Sequence, residues 1–401
     1  MTGVMFKRKI CALCAILICL TAVICGCSTE ENYSLYFGEN ISKAYYFSMN
    51  SEAVLTVYGG GNGATKAENA KVREIADGVY KILEDTELAI SANSDSSDIS
   101  RFNSAEAGAT IEISAISYTV LSIAKEIYAE TEGFYNPAVY YGVQAFGFNT
   151  AARYPKTEEE LPATEITESY AELAAHFSEV TLSEQDGAYF VTKPNYTVTV
   201  NGEECSLKVD LGGIGKGYAA DRVSEYLDQK NCQSAIFTFG DSSIAAKTYR
   251  GESFTLDLAD PRPAQNEGGA YISGVQLKGE CVSTSGDYVN YFEIDGVRYS
   301  HIFDPFTARP VQTGVMTATV IGGSAAKNDG YTTAIMAMGA EKSVEFINKY
   351  LSDCRVAFTF ESEGNGYYYY TNMQYGSYTP ADQRYKLYSP FAVDDGGENV
   401  S

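Results

Sequence analysis

The chain is organised around one glycine-rich stretch, Asp210-Leu211-Gly212-Gly213-Ile214-Gly215-Lys216-Gly217-Tyr218-Ala219-Ala220-Asp221. The alternating residues 206–209 before it indicate a strand, and the apolar residues from Ala219 to Leu227 recur at helical spacing. Four glycines therefore lie at a predicted strand-to-helix junction, where backbone can approach a ligand and a helix N-terminus can receive a phosphate. The pattern is neither the Walker motif nor the dinucleotide-binding glycine motif, and taken alone it more often means a tight connection.

The composition limits the classes of protein to which the chain can belong. With 401 residues and 45% hydrophobic content, it can bury a large core in one elaborated domain or in two or three smaller ones. The formal net charge of -23, from 52 acidic and 29 basic residues, argues against nucleic acid or an anionic lipid surface as partner of the bulk protein. An anionic nucleotide would therefore need a locally basic site or a metal ion.

The N-terminus predicts export and lipid attachment. Three basic residues, Lys7-Arg8-Lys9, precede the apolar run from Ile10 to Ile24, which is short for a membrane span and suits a signal peptide. The run leads into Cys25-Gly26-Cys27-Ser28, which resembles a bacterial lipoprotein cleavage site. We expect residues 1–27 to be the signal with its lipidated Cys27, and residues 28–46 to form a polar tether. The protein would then be extracytoplasmic and lipid-anchored to the bacterial cell membrane, with an uncleaved anchor or simple secretion as the alternative.

The other four cysteines show no metal-binding pattern. They are widely separated, at Cys205, Cys232, Cys281 and Cys354, without a C-x-x-C pair. One disulfide is possible outside the cytoplasm, but the separation favours scattered buried thiols.

Strands and helices are intermixed along the rest of the chain. Apolar spacing predicts helices over Lys66 to about Thr86 and over Ser117 to Thr131, with a polar loop from Ser91 to Asn103 between them. The acidic segment 149–178 predicts a peripheral helical insertion that carries His176 as a surface residue. Because no regular βαβ alternation is present, the sequence predicts an α+β fold with mixed or antiparallel sheets.

Two segments carry side chains suited to phosphate chemistry. The run Thr284-Ser285-Gly286-Asp287-Tyr288 places hydroxyls before a glycine, as in turns that present donors to a phosphate, although exposed polar turns are equally common. His301 precedes the Asp304-Pro305 turn and is either a general base that titrates near neutral pH or a structural imidazole.

A third segment predicts a metal site. Asp329 and Thr333 are four residues apart in a predicted helix and therefore share one face. A carboxylate and a hydroxyl are hard oxygen donors suited to Mg²⁺, which keeps open positions for phosphate oxygens and water. The alternative is helix capping by Asn328 or Asp329, with Thr333 bonding back to the backbone.

Taken together, these motifs resemble the FAD:protein FMN transferases of the ApbE family. The resemblance runs from about Phe47 to Ile347, and its strongest pieces are residues 210–221, 284–288, 301–305 and 329–333 in family-like order. The chain departs from the family pattern at three turns: Asn136 where Asp is usual, Gly240-Asp241 where a Gly-Gly pair is usual, and Ala308 where Gly is common.

The resemblance implies a T-fold-like α+β domain over residues 47–365, followed by a C-terminal extension over 366–401. It implies Mg²⁺ held by Asp329, Thr333 and the carbonyl of Gly213, with Lys216 on the pyrophosphate and His301 as the base. A Thr or Ser hydroxyl of a partner protein would attack the FMN phosphorus of FAD, and AMP would leave. The residues implied as FAD contacts are Asn103, Tyr135, Gly212, Gly213, Lys216, Asp221, Thr284, Ser285, Gly286, Tyr288 and His301.

The implied partners are FAD and an acceptor flavoprotein of an extracytoplasmic or membrane electron-transfer system, with no nucleic acid. Two other functions stay open at this point. One is a lipoprotein that binds FAD without transferring it, and the other is an Mg²⁺-dependent FAD pyrophosphatase that releases FMN and AMP.

Overall fold

The fold is taken from a computed structural model, which describes residues 32–148, 153–232, 234–240, 242–248, 253–263, 271–362, 364, 366–374, 378 and 383–389. The predicted signal with Cys27, the turn residue Asp241 and the last residues of the C-terminal extension lie outside these ranges.

The described chain folds into eight α-helices and a set of mostly antiparallel strands. The helices are α1 (Lys66–Ile90), α2 (Asp98–Ser104), α3 (Ala115–Glu130), α4 (Tyr140–Ala145), α5 (Thr164–Ala175), α6 (Gly212–Gln229), α7 (Ala325–Met338) and α8 (Ala340–Tyr350). Short 3-10 turns cover Pro137–Val139, Glu158–Glu160 and His176–Glu179.

Ten strands form the main sheet. In spatial order they are β1 (Ser34–Phe37), β2 (Ile41–Ser48), β3 (Ser51–Tyr58), β9 (Ala235–Phe239), β10 (Ser243–Lys247), β13 (Cys281–Gly286), β18 (Val315–Ile321), β19 (Arg355–Ser362), β20 (Gly366–Thr371) and β21 (Tyr385–Leu387). Every neighbouring pair is antiparallel except β20 with β21.

The remaining strands form small sheets around the main one. A three-stranded sheet has the order β4 (Thr110–Ile113), β6 (Ala188–Thr192), β5 (Thr181–Gln185). The pairs are β7 (Thr197–Val200) with β8 (Glu203–Ser206), β11 (Phe254–Ala259) with β12 (Tyr271–Leu277), β14 (Tyr291–Ile294) with β15 (Val297–Ser300), and β16 (Phe303–Asp304) with β17 (Arg309–Pro310).

Strand β18 marks the centre of the core, because all seven of its residues are buried. Its side chains alternate between the two faces of the sheet except at a register shift between Val315 and Thr317. Val320 packs on the helix side in one cluster with Ile335 of α7. Met316 packs on the other side against the β11–β12 pair, in a cluster with Val275. Helices α6 and α7 are therefore held against one face of a buried sheet.

The predictions for both ends of the domain were wrong in part. Strands β1 and β2 occupy residues 34–48, so most of the segment predicted as a polar tether lies at the edge of the main sheet. The alternation of exposed and buried residues in β2 is the pattern of a strand with one face on the core. Strands β20 and β21 likewise place part of the predicted C-terminal extension in the same sheet.

The predicted peripheral insertion also proves to be part of the core. Helix α5 and the turn after it bury Leu173, Ala174 and Phe177 in the largest apolar cluster. The prediction of a peripheral insertion was wrong because the acidic residues of segment 149–178 outnumber the four buried positions of the helix's apolar face, Thr167, Ala171, Leu173 and Ala174. His176 is half-buried, with its Nδ1 2.8 Å from Glu179 and its ring stacked on Tyr196.

The predicted locations of the helices are closer to the observed ones than the predicted helix ends are. Helix α1 continues to Ile90, beyond the predicted end at Thr86, and α2 lies inside the predicted loop. Among the described residues, Cys205, Cys232, Cys281 and Cys354 are free thiols, but only Cys232 is buried and the other three are partly exposed, whereas the sequence favoured buried thiols. Within the same residues, no helix has the length and apolar character that crossing a membrane requires.

Candidate active site

The glycine-rich stretch is the beginning of helix α6 rather than a turn before a helix. The helix starts at Gly212, and the strand predicted at 206–209 is shifted, because β8 ends at Ser206. The backbone N–H of Gly212 donates to Asp210 Oδ1 at 2.8 Å. Gly212 and Gly213 are exposed, so the first turn of the helix opens to solvent.

Two later glycines permit close packing between helices. A Cβ atom at Gly217 would lie 2.2 Å from the carbonyl oxygen of Ala325 in α7. A Cβ atom at Gly330 would lie 3.3 Å from Cγ2 of Ile214. Ile214, near the start of α6, is next to Gly330 of α7, whereas Gly217, three residues later in α6, is next to Ala325 at the start of α7. The helices are thus antiparallel, and Gly213 lies toward the end of α7 that carries Thr333.

Asp329 joins these two helices and the main sheet. Its side chain is buried, with the residue only 6% exposed, and Oδ2 accepts the backbone N–H of Gly217 at 2.6 Å. The hydroxyl of Ser243 in β10 donates to both carboxylate oxygens, at 2.9 and 3.1 Å. Burial raises the pKa of Asp329, and this effect is opposed by the charge of Lys216 and by the hydrogen bonds.

The capping alternative for Asp329 is wrong, because Ser324 and not Asp329 is the N-cap of α7. The hydroxyl of Thr333 does donate back to the carbonyl of Asp329, at 3.0 Å, as that alternative expected. In this bond the Thr333 hydroxyl is the donor, so its oxygen can still accept or coordinate. Within the described residues, no group of three or more His, Cys, Asp and Glu side chains could hold a metal ion. One carboxylate, one hydroxyl and one carbonyl form a different donor set, which fits a hard cation with open positions.

Tyr135 supplies a buried polar atom that lacks a partner. The residue is 3% exposed, and its hydroxyl has no hydrogen-bond partner among the described residues. A Cβ atom at Gly213 would lie 3.5 Å from its Cε2 atom. Burial raises the pKa of Tyr135 well above its ordinary value, and the charges of Asp210 and Asp329 add to the effect. An unsatisfied hydroxyl between these groups is what a missing ligand would leave.

His301 lies at the solvent-facing side of the site. Its Nδ1 atom is 3.1 Å from the carbonyl oxygen of Asn290. A carbonyl only accepts, so Nδ1 carries the proton in this bond and Nε2 keeps the lone pair. The ring is exposed, yet the surrounding protein lowers the pKa of His301 by desolvation, and the charge of Lys216 also lowers this pKa. The hydrogen bond to Asn290 and the charge of Asp287 raise the pKa, but the net effect is a lowering. Neutral imidazole is therefore the favoured form near pH 7.

Lys216 connects the two halves of the site. Its charge lowers the pKa of both His301 and Asp329. Its Nζ atom is 3.4 Å from the carbonyl oxygen of Gly212, on the exposed first turn of α6. The structure therefore brings Lys216, Gly213, Tyr135 and Asp329 to the first turns of α6, with Thr333 one turn from Asp329 in α7.

The hydroxyl segment is strand β13 in the centre of the main sheet, and not the predicted turn. Thr284 Oγ1 lies 3.0 Å from Thr319 Oγ1, and Ser285 Oγ lies 2.9 Å from Thr332 Oγ1 of α7. A Cβ atom at Gly286 would lie 2.3 Å from Cε1 of Tyr288, so the glycine makes room for the tyrosine ring. The strand leads to Asp287, whose charge acts on His301.

A family model described as ApbE family matches residues 49–358, which is most of the chain. The chain belongs to the ApbE family. The Salmonella typhimurium protein named FAD:protein FMN transferase is 30% identical over 178 residues, 44% of this chain and 49% of that protein. In this comparison the chain spans about half the length of its relative. A protein of the same name from Haemophilus influenzae is 26% identical over 86% of this chain and 91% of its own length.

Solved ApbE structures share the fold. The flavin transferase ApbE from Vibrio cholerae has a TM-score of 0.65 at 22% identity, over 82% of this chain and 97% of that chain. The ApbE protein from Thermotoga maritima has a TM-score of 0.63 at 23% identity, over 82% and 94% of the two chains. The predicted α+β fold with mainly antiparallel sheets is thereby confirmed.

Two residues assigned to FAD by the ApbE resemblance have structural partners within the protein. Both polar atoms of the Asn103 side chain pair with the backbone of Val209, each at 2.8 Å. Asp221 accepts from the Ser324 hydroxyl at 2.6 Å and from the N–H groups of Ala325 and Ala326 at 2.7 and 3.0 Å. Asp221 therefore caps α7 from α6, and Asn103 fixes the approach to α6.

The structure shows site residues that sequence reasoning missed. Ser243 holds Asp329 and Asn290 orients His301, but neither lies in a motif or at a helical spacing from its partner. Arg262 makes a paired bond to Asp287, at 2.9 and 2.6 Å. The Asp-Pro-Arg-Pro turn that contains Arg262 was a local signal that could have drawn attention to it.

Proposed function

We propose that this protein transfers the FMN moiety of FAD to a Thr or Ser hydroxyl of a partner protein. The observation that carries the proposal is the buried carboxylate of Asp329, which is bonded to α6 at Gly217, together with Tyr135, whose buried hydroxyl has no partner among the described residues and whose ring lies beside the exposed Gly213. Membership in the ApbE family supports it, since the relatives are named for this reaction.

In the proposed reaction, the FAD pyrophosphate lies over the exposed first turn of α6. Lys216 and the backbone N–H groups at Gly212 and Gly213 bind its oxygens and hold the phosphorus in place for attack. Asp329, Thr333 and the carbonyl of Gly213 would hold Mg²⁺. The ion would supply neutralisation of the negative charge that develops on the phosphate oxygens.

His301 is the proposed general base. Its Nε2 lone pair accepts the proton of the acceptor hydroxyl while Nδ1 remains bonded to Asn290. The hydroxyl oxygen forms a bond to the FMN-side phosphorus, and the bond from that phosphorus to the AMP oxygen breaks. The products are a phosphodiester-linked FMN on the acceptor, AMP, and a protonated His301 that returns its proton to solvent.

The test is intact mass spectrometry of an acceptor flavoprotein domain after incubation with the purified protein, FAD and Mg²⁺. We expect a mass increase of one FMN that EDTA prevents. Asp329→Ala should abolish it, whereas Asp353→Ala, at an exposed position outside the candidate site, should not. Release of FMN and AMP without labelling of any acceptor would favour a pyrophosphatase, and bound intact FAD would favour a binding protein.

We also propose that the protein is extracytoplasmic and lipid-anchored through Cys27, and that its acceptor belongs to an extracytoplasmic or membrane electron-transfer system. The support is the basic and apolar N-terminal sequence that ends at Cys25-Gly26-Cys27-Ser28. Labelled palmitate should be incorporated into the wild-type protein and not into Cys27→Ser. Equal labelling of the two would contradict the anchor.

A further inference from the structure

Lys193 is a buried cation that has no carboxylate partner among the residues that the structure describes. The residue is 1% exposed, and its ammonium donates to the carbonyl oxygens of Asn103 at 3.3 Å and Ala105 at 2.8 Å. A third bond joins it to the hydroxyl of Ser206 at 3.2 Å, and the Phe102 ring centroid is 5.1 Å away. Burying an ammonium group is unfavourable unless it is well bonded, so a packing role alone would be served better by an apolar side chain.

The bonds of Lys193 meet at the segment that leads into the candidate site. Residues 207–211 belong to no strand, although Leu207, Val209 and Leu211 are fully buried. Backbone groups in such a segment need partners from elsewhere. Asn103 supplies them, because its side chain pairs with both the N–H and the carbonyl of Val209 at 2.8 Å.

A continuous set of hydrogen bonds thus runs from Lys193 to the first turn of α6. The ammonium fixes the backbone of Asn103 at the end of α2, and it fixes Ser206 at the end of β8. The side chain of Asn103 then fixes Val209, and the next residue, Asp210, bonds the N–H of Gly212 at 2.8 Å. The positive charge also suits the C-terminal end of α2, where carbonyl groups carry partial negative charge.

We propose that Lys193 is a positioning residue of the FAD site, which acts by holding Asn103 and Ser206 so that Gly212 and Gly213 keep the path needed for pyrophosphate binding. The proposal rests on the proposed function, since it assumes that FAD binds at this turn. Lys193 itself touches neither Gly212 nor Gly213 and is not a catalytic residue.

FAD affinity, measured by calorimetry with no acceptor present, tests this role apart from transfer. Lys193→Met keeps the length of the side chain and removes the charge and all three bonds. We expect it to weaken FAD binding about 10-fold, because a small displacement of a binding turn is sufficient for such a loss. Ser206→Ala removes only the bond from Lys193 to the Ser206 hydroxyl and leaves almost no cavity, so it should weaken FAD binding by a smaller factor. This variant serves as the test if Lys193→Met does not fold.

Lys125→Met is the matched control. Lys125 also donates to two carbonyl groups, those of Ser178 and Val180, and lies 5.8 Å from the ring centroid of Phe177. Its bonds do not lead to residues 206–213, so its loss should lower Tm and leave FAD affinity unchanged. The proposal would be overturned if folded Lys193→Met bound FAD as tightly as wild type. If Lys193→Met does not fold, unchanged FAD affinity of Ser206→Ala would overturn it.

A pH series gives a second reading that simple destabilisation would not produce. Burial, together with the smaller effect of the charge of Lys208, lowers the pKa of Lys193 to about 8. The affinity ratio between wild type and Lys193→Met should therefore shrink between pH 7 and pH 9.5, as the wild-type ammonium loses its proton. A ratio that stays constant would contradict the role of the charge. If wild-type protein binds no FAD at all, this inference and the proposed function both fail.

Discussion

The backbone N–H of Gly217 donates to Oδ2 of Asp329 at 2.6 Å, which joins α6 to α7 at the centre of the candidate site. The bond is possible because the helices approach so closely that a Cβ atom at residue 217 would lie 2.2 Å from the Ala325 carbonyl oxygen. One glycine therefore sets both the packing of two helices and the position of the carboxylate proposed to hold the metal.

We expect Gly217→Ala to displace α7 and to lower the free energy of unfolding by about 2 kcal/mol or more, as overpacked cores do. Urea unfolding measures this change. Gly213→Ala is the control, since its Cβ would make an ordinary 3.5 Å contact with Tyr135 and should alter stability little. Equal effects of the two substitutions would contradict the packing argument.

Tyr135→Phe should change stability and FAD affinity in opposite directions. Removing the unsatisfied hydroxyl should raise the free energy of unfolding of the FAD-free protein by about 1 kcal/mol, the lower end of the penalty for an unpaired buried group. If the hydroxyl bonds FAD, the same change should weaken FAD binding about 5-fold or more. Thermal unfolding and calorimetry give the two readings, and unchanged FAD affinity would remove Tyr135 from the binding site.

His301→Ala should retain FAD binding and lose transfer by about 10²- to 10⁴-fold, the usual contribution of a positioned base. His176→Ala, the other histidine, should have no effect on transfer. Because the pKa of His301 is lowered from 6.5, the acid limb of kcat/KM should have its midpoint below that value. A midpoint above 6.5, or an equal loss of binding and turnover, would argue that His301 is not the base.

Ala308→Gly should stabilise the protein. Ala308 is buried with a φ of 50°, in the left-handed region where a side chain is unfavourable and where the ApbE pattern has glycine. Relief of that strain should exceed the entropy lost by introducing glycine, with a net gain of about 0.5 to 1 kcal/mol in unfolding free energy. A lower Tm would mean that the buried methyl group contributes more by packing than the strain removes.

Lys193 should make stability rise with pH. Below pH 8 the group is charged in both states, and between about 8 and 10.5 the folded chain has released a proton that the unfolded chain still binds. The unfolding free energy of wild type should therefore increase relative to Lys193→Met by about 1 to 3 kcal/mol over this window. Paired urea titrations at pH 7 and pH 10 measure the difference, and a decrease would contradict the assigned pKa direction.

The sequence by itself determined the family and the class of fold. The four-residue spacing of Asp329 and Thr333 put both on one helix face, and the structure keeps them there. Local patterns are reliable for such features, because side chains three or four apart on a helix are neighbours whatever the rest of the fold does. The order of the glycine-rich, hydroxyl and histidine segments was enough to indicate the family.

Only the tertiary structure decided what several of these residues do. Asp221 caps α7 across a separation of more than one hundred residues, and Asn103 holds Val209 at a similar separation, so neither role leaves a local signal. Ser243 bonds Asp329 because the tertiary fold places β10 next to α7, and nothing in the local sequence of either element indicates this contact. The glycines were predicted as a phosphate turn, yet Gly217 is required by the distance between two helices. That distance is set by the packing of the whole core, and no segment of the chain encodes it alone.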